Sequence, residues 1–286
     1  MKKYGLVVDS TLTVPLDILE ENNILVANLK VLIDGEPQPL DVSNEAVVSA
    51  IKADKEVKTS QPAPEDYLKT YQQHFGNGAE VVLCFTISKS LSGSFNSAKL
   101  AVASLPAEYQ DKVYVFDTES VSVGSRYYLL KAIEFLNAGM SPDQTMIKLE
   151  QLKNQGYLLF MVDDLDTLKK GGRLGKVKYF IANILKIKPI LRFKRGELEI
   201  SNSTARGQVR AVRFLINKII KEQESHPHNK IKVILANVDQ DSEALEIVNI
   251  MNLNLPNIPV EYGGRISQIV TSHIGPGGVG IYVYYE

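Results

Sequence analysis

Short apolar runs alternate with amphipathic stretches along most of this 286-residue chain, a pattern of layered α/β architecture rather than a helical bundle or a β-sandwich. Strands are expected at Tyr4 to Val8, Ile24 to Leu32, Val81 to Phe85 and Val113 to Phe116, where β-branched and aromatic residues cluster. Between them the apolar positions recur at helical spacing near 14–22, 43–54, 64–75, 92–104 and 122–138. Pro64-Glu65-Asp66 marks a helix start, because proline suits the first turn and acidic side chains favour the positive end of the helix dipole. Ser141-Pro142-Asp143 carries the same signal.

After about Gly156 the pattern changes, and a boundary there divides the chain into residues 1–156 and 157–286. The second part predicts a strand from Tyr157 to Val162 and helical stretches near 164–169 and 175–185. Lys188 to Phe193 meets Glu197 to Ile200 through Lys194-Arg195-Gly196 as a hairpin. A helix near 206–223, a strand at 231–237, a helix near 241–252 and two closing strands follow. The chain shows no internal repeat, low-complexity tract or heptad run.

Composition narrows the function classes. Lys and Arg total 32 against 33 Asp and Glu, a net charge of -1, so no global field recruits nucleic acid or an anionic membrane, and anion recognition has to be local. The single cysteine, Cys84, sits in the apolar run Val81 to Phe85 and reads as a buried structural thiol. No apolar run approaches the roughly 20 residues that span a bilayer, and the N-terminal run before Asp9 is too short for a signal peptide. A reducing, cytoplasmic setting is the expectation.

Four segments could carry chemistry. Ser88-Lys89-Ser90-Leu91-Ser92-Gly93-Ser94 follows an apolar strand and leads into a helix, so its backbone N–H groups and the hydroxyls of Ser92 and Ser94 face whatever sits at that turn. Taken alone, helix capping explains the serines better. Thr59-Ser60-Gln61-Pro62 is a second hydroxyl-rich turn before a helix, equally open to local hydrogen bonding. Ser272-His273-Ile274-Gly275-Pro276-Gly277-Gly278-Val279-Gly280 matches G-x-G-x-x-G literally, but no βαβ helix follows and only six residues remain, so its glycines read as a tight turn fixing His273. Lys169-Lys170-Gly171-Gly172-Arg173 and Thr204-Ala205-Arg206 present guanidinium groups that suit phosphate or a partner's carboxylate, with a solvated charged face as the equal alternative. No metal pattern appears, since His226 and His228 flank Pro227 without thiolate or carboxylate partners.

In this order, the segments resemble the DegV family, whose members include the fatty-acid-binding subunits of bacterial fatty acid kinase. The resemblance spans the whole chain and rests on Val8-Asp9-Ser10-Thr11, Thr59-Ser60-Gln61-Pro62, Ser90-Leu91-Ser92-Gly93-Ser94, Asp117-Thr118, Asp166 to Arg173, Lys188-Pro189-Ile190-Leu191 and His273-Ile274-Gly275-Pro276-Gly277. It implies an α/β fold of two domains, an N-terminal three-layer α/β/α unit and a C-terminal unit with a mixed sheet. Between them would lie one long-chain fatty acid such as palmitate, stearate or oleate, its carboxylate held by Thr59, Ser60, Ser92, Gly93 and His273. It further implies no cofactor and no catalysis by this chain: a separate ATP-dependent kinase docks near Arg173 and Arg206 and converts the acid to an acyl phosphate. A monomer that docks reversibly, with room for transient membrane contact, completes the expectation. The chain departs from the family's common pattern at Ser94, where threonine is frequent, and at Ala205, where a basic or larger residue is commoner.

Two rival classes remain. A serine hydrolase would use Ser92 and His273, although the segment lacks the first glycine of G-x-S-x-G. A carrier of a different lipid fits the same residues. A self-sufficient kinase is disfavoured, because no Walker motif, kinase signature or Mg²⁺-holding carboxylate cluster appears.

Overall fold

The computed structural model describes residues 3–163, 165–174, 188–205, 208–225, 230–239 and 241–286. In chain order the elements are β1 (Tyr4–Asp9), a 3₁₀ turn (Ser10–Leu12), α1 (Leu16–Glu21), β2 (Ile24–Ala27), β3 (Lys30–Ile33), β4 (Glu36–Pro37), α2 (Asn44–Lys52), β5 (Val57–Ser60), α3 (Pro64–Gly76), β6 (Val81–Thr86), α4 (Ser94–Ala103), α5 (Ala107–Gln110), β7 (Val113–Asp117), α6 (Val123–Asn137) and α7 (Pro142–Leu152). Then come β8 (Gly156–Met161), α8 (Asp166–Lys170), β9 (Lys188–Lys194), β10 (Glu197–Ala205), α9 (Gln208–Ser225), β11 (Ile231–Asn237), α10 (Asp241–Asn254), β12 (Val260–Arg265), α11 (Gln268–Ile274) and β13 (Val279–Tyr285).

Both expected helix starts carry their caps. Asp66 Oδ2 accepts the Ala63 N–H at 3.0 Å ahead of α3, and Ser141 with Gln144 forms a reciprocal capping box ahead of α7.

The first half is built on a four-stranded parallel sheet of order β2-β1-β6-β7. Alternation along its strands sends Val7, Val82 and Cys84 to Tyr67, Tyr71, Ala98 and Ala101 of α3 and α4, while Leu6, Val8, Leu83 and Phe85 meet Tyr127, Tyr128 and Leu129 of α6 on the other face. This is the expected three-layer arrangement. Burial pushes the Cys84 thiol up to about 12, which keeps it protonated and inert.

The expected single strand from Ile24 to Leu32 is two strands. β2 pairs with β1, but at Leu29 the chain turns away, its N–H bonded to Ser10 Oγ at 3.1 Å, and β3 enters a separate antiparallel sheet of order β4-β3-β5. Thr59 and Ser60, expected in a turn, belong to edge strand β5 of that sheet.

The second half holds a six-stranded mixed sheet of order β10-β9-β8-β13-β11-β12, in which only β11 and β12 run parallel. The expected hairpin is present: Lys194 faces Glu197 across a two-residue turn whose Arg195 and Gly196 both have positive φ, the geometry that matches strand twist. The expected helix at 175–185 lies outside the described residues, as do Arg206, His226 and His228.

β8 is buried along its whole length, which explains its unbroken apolar run. Tyr157, Leu159 and Met161 pack with α9 and α10, whereas Leu158 and Phe160 join Leu6, Phe85 and Tyr127 from the first half. The two halves therefore meet through one continuous apolar cluster. Among the described residues no helix is long and apolar enough to cross a membrane.

Candidate functional site

In the strand order β2-β1-β6-β7, successive connections leave β1 in opposite directions, so the reversal point lies between β1 and β6. In open α/β sheets the crevice beyond the carboxyl ends of such strands is where ligands bind. Here the chain leaving β1 carries Thr11 and the chain leaving β6 carries Ile87, Leu91, Ser92 and Gly93. Opposite stand β5, with Thr59, Ser60 and Gln61, and α11, with Ile269, Val270, His273 and Ile274.

These segments enclose a cavity of about 340 Å³. Leu29, Ile87, Leu91, Val121, Ile269 and Val270 make most of its wall apolar. Its polar wall comprises Thr59, Ser60, Gln61, Ser92, Gly93, Arg173 and His273. Thr59, Arg173 and His273 also line a second cavity of about 720 Å³, with the charged residues Lys58, Asp166 and Lys170, so they stand between an apolar chamber and a groove bearing charged side chains.

His273 occupies the last turn of α11, where Gly275 at φ 73° ends the helix. Its Nε2 lies 2.7 Å from Thr59 Oγ1, and its Nδ1 is buried without a hydrogen-bond partner among the described residues. Gly171 makes this possible, since a Cβ there would lie 2.6 Å from Nδ1. Burial, aided by the nearby Arg173 cation, pushes the His273 pKa down to about 4, so the ring is neutral at pH 7. Arg173 is anchored through Nη1 to Gly171 O at 2.6 Å and through Nε to Leu91 O at 3.3 Å.

Ser92 Oγ accepts the Ser94 N–H at 3.2 Å, which leaves its own proton available to a ligand. Gly93 is required by close approach: a Cβ there would overlap the Gln61 carboxamide, whose Nε2 donates to Ser97 Oγ at 3.0 Å. Ser94, expected to offer its hydroxyl to the ligand, is instead fully buried and donates to Asp9 Oδ2 at 2.7 Å.

Thr59, Ser60, Ser92, Gly93, Arg173 and His273 thus line one cavity, while Arg206 lies outside the described residues. The G-x-G-x-x-G match is a turn, with Gly275 and Gly277 at positive φ and Gly280 inside β13. Among the described residues no hydrogen bond joins Ser92 to His273, whose Nε2 is engaged by Thr59, so the pairing a serine hydrolase needs is not formed. No group of three or more His, Cys, Asp or Glu able to hold a metal occurs among the described residues.

Sequence reasoning gave no role to Gln61 and missed the apolar part of the α11 wall, Ile269, Val270 and Ile274, while naming His273 on the same helix. The available signal was Ser267, whose Oγ caps that helix by accepting the Val270 N–H, but the glycines that follow drew the segment into a turn. It also gave no role to Asp9, whose fully buried carboxylate gathers the chain ends of β1 and β6.

Fold and cavity together define an α/β protein with a mostly apolar chamber whose polar wall, among the described residues, carries hydroxyls, a neutral imidazole and the guanidinium of Arg173. The family model described as "Uncharacterised protein, DegV family" matches residues 3–286, and the chain belongs to that family. It is 33% identical over 285 residues to a protein of Thermotoga maritima named "Fatty acid-binding protein", covering 97% of this chain and 96% of that protein. A DegV family protein from Thermus thermophilus, described for its fatty acid binding, superposes with a TM-score of 0.87 at 28% identity over 100% of both chains. A stearic acid-binding protein from Eubacterium ventriosum superposes with a TM-score of 0.87 at 26% identity, covering 99% of this chain and 98% of that one.

Proposed function

We propose that this chain binds one long-chain fatty acid, its tail in the apolar cavity and its carboxylate among Thr59, Ser60, Ser92, Gly93 and His273, and presents that acid to a separate ATP-dependent kinase that forms the acyl phosphate. The observation that carries the reading is the apolar chamber ending in the Thr59–His273 pair and the Ser92–Gly93 turn. The fatty-acid ligands of its relatives support it.

The energetics suit such a ligand. Each buried methylene contributes about 0.8 kcal/mol, so a tail of about fifteen carbons binds readily to an apolar chamber. The carboxylate needs donors to offset its lost hydration, and hydroxyls, backbone N–H groups and an imidazole supply them without a tight ion pair. Neutral donors leave an oxygen nucleophilic enough to attack a phosphoryl group. Arg173, and Arg206 beyond the described residues, serve the docking or phosphate-facing side. The chain itself breaks no bond. It acts as a cytoplasmic monomer of two domains, 1–156 and 157–286, meeting the kinase and, transiently, the membrane.

Native mass spectrometry of the purified protein tests the ligand, with one retained long-chain acid as the expected mass. The transfer step is tested with Ser92→Ala, which is expected to cut phosphorylation of the bound acid far more than it perturbs folding. Unchanged turnover in the presence of the kinase rejects that role for Ser92.

A further inference from the structure

Asp9 is fully buried, and among the described residues no cation forms an ion pair with it. Its Oδ1 accepts both the backbone N–H of Thr11, at 3.0 Å, and the Thr11 hydroxyl. Its Oδ2 accepts the Ile87 N–H at 2.8 Å and the Ser94 hydroxyl at 2.7 Å. Ser94 Oγ in turn lies 2.6 Å from Tyr67 OH, and because Ser94 gives its proton to Asp9, Tyr67 donates to Ser94. One carboxylate thus collects four donors from three segments: the chain end after β1, the chain end after β6 and the first turn of α4.

Each of those segments forms part of the cavity. Thr11 and Ile87 line it directly, and Ser94 is the residue whose N–H is held by Ser92 Oγ, next to Gly93. The hydroxyls of Thr11 and Ser94 are turned toward Asp9 and away from the chamber. That commitment leaves Ser92, Thr59 and Ser60 as the hydroxyl residues of the polar wall.

The geometry points to Asp9 as the positioning residue of the carboxylate site: by drawing the Thr11, Ile87 and Ser94 donors onto itself, it fixes the Ser92–Gly93 turn and makes the cavity select an acid head group. This rests on the reading that the chamber takes a fatty acid. A neutral amide cannot substitute. If the NH₂ of an asparagine replaced Oδ2 it would face the Ile87 N–H, and if it replaced Oδ1 it would face the Thr11 N–H, so either orientation sets donor against donor at a cavity wall.

The test compares two ligands with the same tail, hexadecanoic acid and hexadecan-1-ol, by displacement of a fluorescent fatty acid from the full chain. Asp9→Asn is expected to weaken the acid by about tenfold while the alcohol, held by its tail, stays within about twofold. Ser94→Ala is expected to shift the ratio in the same direction by about threefold, and it decides the matter if Asp9→Asn does not fold. Variants that keep the wild-type ratio of acid to alcohol affinity overturn the inference, as does an equal loss for both ligands, which would mark Asp9 as a general fold determinant. A wild-type protein that binds neither ligand removes the fatty-acid reading itself, and this inference with it.

Discussion

Thr59 Oγ1 and His273 Nε2 lie 2.7 Å apart, and this one hydrogen bond ties edge strand β5 of the first half to the last turn of α11 in the second. An imidazole whose Nδ1 is buried and unpartnered depends on that contact for the only polar satisfaction its ring has among the described residues. Thr59→Val removes the hydroxyl at nearly constant shape and is expected to lower unfolding stability by about 1–3 kcal/mol, while Thr59→Ser retains most of it. Chemical denaturation of the two variants checks this. Equal stability of Thr59→Val and wild type would show that the pair contributes nothing to the fold.

The same histidine sets a pH dependence. Its folded pKa, about 4, lies below the ordinary 6.5, so the unfolded chain takes up a proton before the folded one does. Stability is therefore fully present above pH 6.5 and falls as pH drops from 6.5 toward 4, by at most about 3 kcal/mol. His74, buried against Leu6 O and also shifted downward by burial, adds loss of the same sign. Replacing His273 by Gln is expected to flatten the curve between pH 7 and 4.5 by its own share and leave the His74 part. Urea midpoints at several pH values read the difference, and an unaltered slope rejects the assignment.

Gly93 and Gln61 are expected to behave as a coupled pair. A Cβ at position 93 overlaps the Gln61 carboxamide, so Gly93→Ala forces that side chain from its bond to Ser97 and displaces the turn beside the cavity. Gly93→Ala alone is expected to cost about 1–3 kcal/mol, and much of that cost should vanish in a Gln61→Ala background. The φ of Gly93, −75°, is open to any residue, so the effect isolates crowding from backbone strain. A double-mutant cycle with simple additivity would reject the crowding.

Much of this site was legible because its polar residues sit at element ends that local chemistry announces. The Ser88 to Ser94 turn follows an apolar strand, and Pro64 marks the helix that bounds Thr59 to Gln61. What escaped was tertiary. Nothing local shows that the Ser94 hydroxyl turns inward, since that direction is set by Asp9, 85 residues away. Likewise Ile24 to Leu32 reads as one strand because both pieces are apolar, and the break at Leu29 depends on Ser10, 19 residues earlier. α11, at seven residues, is too short for its period to compete with the glycines that follow it.

In the proposed reading the apolar wall sets the length of the tail, and Val121 gives access to that wall. It lines the chamber, is only partly buried, and packs against the apolar cluster shared by both halves, so a larger side chain there can intrude on the cavity without replacing a fully buried residue. Val121→Phe adds several carbon atoms to a space of about 340 Å³. Overpacking on this scale costs about 1–3 kcal/mol when no ligand can yield, but a ligand tail shorter by a few methylenes relieves it, at about 0.8 kcal/mol of lost burial per methylene. The variant is therefore expected to prefer acids two to four carbons shorter than wild type, and to bind them about 1.6–3.2 kcal/mol more weakly than wild type binds its own preferred acid, at about 0.8 kcal/mol per methylene lost. Competition with a ladder of saturated acids measures the shift directly. A variant whose preferred length is unchanged would place the end of the tail away from Val121.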